Sequence, residues 1–329
     1  MHGPFGVGKT AIAQSSTELL EQQKKLGASL FFSRPNARND PNRVFTSVAY
    51  QIATKCPQFR DVINRRIERD VTILTSALPI QFYELLVRPL RRVSNKADVK
   101  GLVIVLDGLD ECEGRDAQRE IIELITNSIS ERTTPFRWFL TSRPESHIIR
   151  TMDLDTIFPV VSRLELPVSR KIDHDILVYV MGELRKIRKQ HRLPAFWPSE
   201  ADVALIVDRT GGLFIYAATV VRFISDDNSL GPVDQLRIVL GHMHDMHLGT
   251  INPLAEMDLL YTLILQQIPS AVRSMVLKIL LINFCGGIPS DEDNGNGTRL
   301  FQLCSVLGIY EAQFRIACRS LGSVLSLDG

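Results

Sequence analysis

The sequence is short of the features that would mark a secreted, membrane-bound or metal-stapled protein. Its 329 residues hold five cysteines, Cys56, Cys112, Cys285, Cys304 and Cys318, scattered and without a CxxC pair. That odd, dispersed set fits reduced thiols in the cytoplasm better than a disulfide framework or a zinc site. No apolar run approaches the ~18 residues of a membrane span; the best stretch, 213–224, is interrupted by Arg222. No basic segment followed by an apolar one opens the chain, so no secretory signal is read. A surplus of one charge is missing too, since 38 Lys plus Arg face 37 Asp plus Glu. Such neutrality gives no electrostatic ground for nucleic acid or an anionic membrane as the main partner.

What remains is the balance of a globular protein, with 45% hydrophobic and 23% charged residues. The length exceeds what one core usually holds and predicts two or three domains. Basic runs at Arg65, Arg66 and Arg69, at 88–96 and at 185–192 read as solvated helix surface, with a partner-binding patch as the other reading.

Helical spacing runs over 10–26, 42–55 and 59–69, and a helix over 81–93 should kink at Pro89. Strands are predicted at 28–33 (ASLFFS), 101–107 (GLVIVLD) and 136–141 (FRWFLT), with one more at 160–166. Apolar runs alternating with an amphipathic helix at 117–130 predict an α/β fold with a doubly wound parallel sheet. After Pro167 the periodicity is almost wholly helical. The predicted organisation is an α/β core at 1–167, a helical domain at 168–250 and a truncated winged-helix-like region at 251–329.

Three segments carry chemistry. Gly3, Pro4, Phe5, Gly6, Val7, Gly8, Lys9 and Thr10 fit the phosphate-loop pattern G-x-x-x-x-G-K-[ST]. Glycines let backbone N–H groups turn inward around phosphates, and the following helix adds its positive end. Lys9 should reach the β- and γ-phosphates, while the Thr10 hydroxyl should ligate Mg²⁺. At the carboxyl end of the 101–107 strand stands Asp107, the expected metal-side acid. Asp110 and Glu111, just beyond it, are candidates to polarise an attacking water. Thr141-Ser142-Arg143-Pro144 ends the next strand, where Arg143 could sense a γ-phosphate.

In combination these segments resemble the NACHT family of signal-transduction NTPases, of the STAND class. Residues 28–53 (ASLFFSRPNARNDPNRVFTSVAYQIA) look like the version in large multidomain proteins of mushroom-forming fungi, relatives of the NOD-like receptors. The segments GGLFIYA (211–217) and YTLILQQIP (261–269) also look like that group. The resemblance implies a P-loop NTPase that holds a nucleoside diphosphate when closed. It opens and self-associates on exchange for ATP or GTP with Mg²⁺, and slow hydrolysis resets it. Lys9, Thr10, Asp107, Asp110, Glu111 and Arg143 would then form the site. Related proteins often carry a base-contacting Pro at the place of Phe214, so that contact is not carried over.

The P-loop strand that should precede Gly3 is reduced to Met1 and His2. The sequence therefore predicts a sheet without its first strand, in a fragment of a larger protein whose effector and repeat domains are absent here. A non-catalytic scaffold, or an NTPase fragment without a working site, is the alternative function. A small-molecule P-loop kinase is disfavoured by the long helical extension and by Gly108 separating Asp107 from the acids after it.

Other clusters are set aside. His242, His244 and His247 do not share one helical face and read as a polar segment. The acidic stretch at 291–295 lacks the ligands of a calcium loop. The sequon Asn296-Gly297-Thr298 is read as coincidence.

Overall fold

The computed structural model describes residues 1–34, 36–93, 99–226, 230–245, 253–268, 270–284, 304–305 and 307–319. Cys285, His247 and the loop at 290–298 lie outside them. The described chain divides into two compact units, Met1–Pro167 and Val168–Gly329.

The first unit is an α/β layer structure. Helix α1 (Lys9–Gln22) leads to β1 (Leu26–Phe31), followed by α2 (Arg43–Lys55) and α3 (Pro57–Arg69). Short helices α4 (Leu78–Phe82) and α5 (Arg88–Arg92) precede β2 (Val103–Asp107). Helix α6 (Arg115–Ser130), β3 (Arg137–Leu140) and α7 (Ser146–Met152) complete it. The strands form a parallel sheet in the order β1-β2-β3.

Alternation along β2 decides what each face buries. Ile104 and Leu106 join the large core with Phe45, Val48 and Ile52 of α2 and Ile121, Ile122 and Ile125 of α6. Val103 and Val105 point the other way, with Ala13 and Leu20 of α1 and Leu26 of β1. Helices thus cover both faces, which explains why β2 is apolar on both sides as far as Leu106. Four fully buried side chains, Ile104, Leu106, Ile121 and Ile122, are worth roughly 1.5–3 kcal/mol each as an upper estimate.

Two expectations change. Residues 160–166 do not form a strand; Phe158–Val160 is a 3₁₀ turn, and Glu165 makes an isolated parallel bridge to His2. His2 also bridges Ser142, so it lies between the end of β3 and Glu165. Its N–H donates to Leu164 O at 2.8 Å, and its carbonyl accepts from Leu166 N–H at 2.8 Å. The sheet therefore runs past β3 through a one-residue bridge, too short to draw 160–166 into a strand. Pro89 is the second case. A π-helical turn at Tyr83–Val87, in which Arg88 N–H donates to Tyr83 O, separates α4 from α5. The α-helical register is thus already interrupted immediately before Pro89, which has no N–H to donate.

The second unit is helical. Helices α8 (Asp173–Gln190), α9 (Glu200–Thr210), α10 (Phe214–Ile224), α11 (Pro232–Asp245), α12 (Pro253–Gln266) and α13 (Ser270–Phe284) follow in order, with a further helix at Glu311–Arg319. Ser199 and Asp202 cap α9 reciprocally, and Gly211 ends it in the left-handed conformation. The core holds Ile176, Val180, Ile206, Tyr216, Val220 and Leu260. Phe214 packs on Tyr179, ring centroids 4.8 Å apart. A buried pair, Arg209 and Glu256 at 3.5 Å, ties α9 to α12, and Arg209 also donates to Met243 O of α11 at 2.6 Å. Among the described residues no helix is long and apolar enough to cross a membrane.

Candidate functional site

The site lies where the parallel strands end. Gly3 opens the loop in close contact with the chain at Leu166: a Cβ there would lie 2.4 Å from Leu166 O. Gly8, at φ 90°, N-caps α1 in the left-handed region, and no side chain caps that helix end. The first amide N–H groups of α1 are thereby left to donate to an outside anion. Phe5 is exposed and Val7 is buried.

Lys9 folds back over the loop. Its Nζ donates to Gly3 O at 2.6 Å and to Pro4 O at 2.7 Å. Burial pushes its ammonium below the ordinary lysine range. Asp110 opposes that shift, Arg143 reinforces it, and Asp107 and Glu111 oppose it. All four charged groups of the two distant motifs therefore act on the loop lysine. Thr10 follows on α1 and is exposed.

Asp107 ends β2 with 2% of its surface exposed. Its Oδ1 accepts the Thr141 hydroxyl at 2.5 Å, and Thr141 Oγ1 accepts the Gly108 N–H at 2.9 Å. Gly108, at φ 72°, turns the chain immediately after the acid. A buried carboxylate needs such a partner, and Thr141 supplies it from the end of the neighbouring strand.

Asp110 and Glu111 sit on the 3₁₀ turn Leu109–Glu111. Asp110 Oδ1 accepts the Arg143 backbone N–H at 2.8 Å, and Oδ2 lies 3.2 Å from Arg143 Nε. Glu111 Oε1 is 3.8 Å from Arg143 Nη2. The Arg143 guanidinium also lies 5.1 Å from the Phe5 ring centroid, which joins the third motif to the first.

Several residues here were missed by sequence reasoning. Arg34 clamps the acidic turn from outside: Nη2 donates to Asp110 O at 2.7 Å, Nε to Glu111 O at 3.2 Å, and its backbone N–H to Glu111 Oε2 at 3.2 Å. Gln118, 2% exposed, donates from Nε2 to Asp110 O at 3.2 Å and to Cys112 O at 2.5 Å. His147 hydrogen-bonds the Gln118 amide oxygen. Gln118 could have been noticed as a polar residue on the apolar stripe Ile121, Ile122, Ile125 of α6. Arg34 carries no such signal, because its partners are 76 and 77 residues away. Beside this turn the Cys112 thiol is pushed up to about 12, by burial first and then by Asp40 and Glu113, so it is no nucleophile at neutral pH.

The donor set suits a phosphorylated ligand and a magnesium ion. It offers an open helix N-terminus, one ammonium, one hydroxyl and a buried carboxylate with its Oδ2 still available. Among the described residues no group of three or more His, Cys, Asp or Glu is placed to hold a metal by itself.

No curated protein matches the chain. Residues 1–143 match the family described as Nephrocystin 3, N-terminal, a stretch that begins ahead of the loop and ends on Arg143.

Proposed function

We propose that Met1–Pro167 is a P-loop nucleotide-binding unit of the NACHT type, a switch that binds ATP or GTP with Mg²⁺ and hydrolyses it slowly. One observation carries this reading. Lys9, Asp107, Asp110, Glu111 and Arg143 come from three separate segments and share one electrostatic neighbourhood beside the N-terminus of α1.

In this account the α1 amides and Lys9 bind the β- and γ-phosphates, Lys9 exchanging the Gly3 and Pro4 carbonyls for phosphate oxygens. Thr10 and Asp107 would hold the magnesium ion, which neutralises charge developing on the transferred phosphoryl group. Thr141 positions Asp107. Glu111, whose side chain is 30% exposed, is the acid that orients the attacking water. Asp110 has both oxygens engaged by Arg143 and acts as its anchor. A γ-phosphate offers Arg143 a competing anion. Exchange between Asp110 and phosphate is the event through which nucleotide state is read, with self-association as the output.

The engagement of Asp110 by Arg143 also favours a second reading, a scaffold that binds nucleotide without turning it over. Phosphate release from ATP and GTP separates the two. The switch predicts slow, Mg²⁺-dependent turnover that Lys9→Ala abolishes, whereas equal turnover in that variant would refute the site. Tight binding without release would establish the scaffold.

A further inference from the structure

Two of the basic runs, far apart in sequence, converge in the fold. Arg65, Arg66 and Arg69 follow one another along one face of α3, with Val62 a turn before them. Arg88 and Arg92 of α5 stand opposite, and all five line one cavity of about 270 Å³. The acid in its lining is Glu84, whose side chain is 14% exposed. Glu84 accepts from Arg66 Nε at 2.6 Å and from Arg88 Nη1 at 3.0 and 2.8 Å. Asp70 adds a weaker contact to Arg66 at 3.5 Å and is itself held by the Thr72 hydroxyl and N–H.

Five guanidiniums against these two carboxylates leave an excess of three positive charges around the cavity. Arg65 donates from Nε to the backbone oxygen of Asp61. Arg69 and Arg92 are exposed and have no ion pair among the described residues. Such convergence opposes folding, since like charges brought together raise one another's energy. Glu84 at the same time fixes two guanidiniums through Arg66 Nε and Arg88 Nη1, which leaves Arg66 Nη1 and Arg88 Nη2 for an oxyanion. Planar guanidinium forks match phosphate oxygens two at a time.

We propose that this cavity is an anion site for a compact polyphosphorylated ligand, separate from the P-loop. The lining also narrows the ligand class. Its apolar members are Val62 and Pro89, and among the described residues of the lining there is no aromatic ring on which a base could stack. Clustered phosphates on a small polar ring fit better than a nucleotide or a single-stranded nucleic acid. Free inositol polyphosphate and the headgroup of a phosphoinositide lipid share this chemistry.

The test is calorimetric titration of the full chain with inositol hexakisphosphate, using three proteins: native, Lys9→Ala, and the double variant Arg69→Gln/Arg92→Gln. Both arginines in the double variant are exposed, and unchanged ligand-free melting shows that it folds. The expected result is one site per chain, unaffected by Lys9→Ala and weakened roughly tenfold or more in the double variant. Failure of the native chain to bind, equal affinity in the double variant, or loss in Lys9→Ala would each overturn the proposal. Co-sedimentation with phosphatidylcholine vesicles containing phosphatidylinositol 4,5-bisphosphate separates the two sources. Sedimentation that the double variant loses assigns the lipid headgroup, and binding of the free polyphosphate alone assigns the soluble ligand.

Discussion

Arg143 meets Asp110 twice, with its backbone N–H on Oδ1 at 2.8 Å and its side-chain Nε 3.2 Å from Oδ2. The backbone bond fixes where the chain leaves β3; the side-chain bond fixes where the guanidinium waits. Arg143 is 41% exposed while Asp110 is 7% exposed, so solvent screens much of the ionic part.

The two bonds separate by mutation. Arg143→Ala keeps the backbone bond and should cost under about 1 kcal/mol of stability, as expected for a screened ion pair. Asp110→Ala leaves the partly buried Arg143 N–H without its acceptor and should cost about 1–3 kcal/mol. Urea unfolding of the singles and the double variant measures both. Equal losses in the two single variants would show that the backbone bond carries no weight.

Thr141 is fully buried and holds Asp107 through its hydroxyl. Thr141→Val keeps the shape but strips both the hydroxyl donor to the acid and the acceptor of Gly108 N–H. The expected loss is about 1–3 kcal/mol, together with a higher Mg²⁺ requirement for nucleotide binding. Magnesium titrations at fixed nucleotide check the second effect, and an unchanged midpoint would remove Asp107 from the metal.

In the helical unit, burial pushes the Glu256 carboxyl up, and the Arg209 charge opposes it. Arg209→Met strands that acid and should destabilise the unit by roughly 3–5 kcal/mol. Adding Glu256→Leu should recover part of the loss. A double variant worse than the single would contradict the pairing.

For Glu84, burial alone would raise the carboxyl, but hydrogen bonds from Arg66 and Arg88, with their charges, outweigh it and hold the group below the usual carboxylate range. A depressed folded value gives stability that is present above the unfolded value of about 4.3 and lost as pH falls through the folded one. Glu84→Gln should therefore unfold earlier in urea than the native chain at neutral pH, with the gap closing below about pH 4. A gap that widened in acid would reverse the assignment.

Much of the sheet was legible from sequence, because β1, β2 and β3 are short apolar runs that end at turns or charged residues. The run 160–166 alternates apolar and polar residues, but among the described residues its one β-bridge is Glu165 to His2, and a strand needs ladder partners along its length. The residues of the candidate site could be singled out because a glycine-rich turn ahead of a helix and a carboxylate at a strand end have recognisable local patterns. The grip on them could not. Thr141, Arg34 and Gln118 reach Asp107 and the acidic turn through contacts that no local spacing encodes. Convergence of the two arginine runs was hidden likewise, since it depends on how α3 packs against α5.

The most direct test of the central claim is Mg²⁺-dependent binding of ATP and GTP, measured by calorimetry on the native chain and on Lys9→Ala. The account predicts binding that needs Mg²⁺ for full affinity and is lost in the variant. Nucleotide binding of equal strength in Lys9→Ala, or none in the native chain, would contradict it.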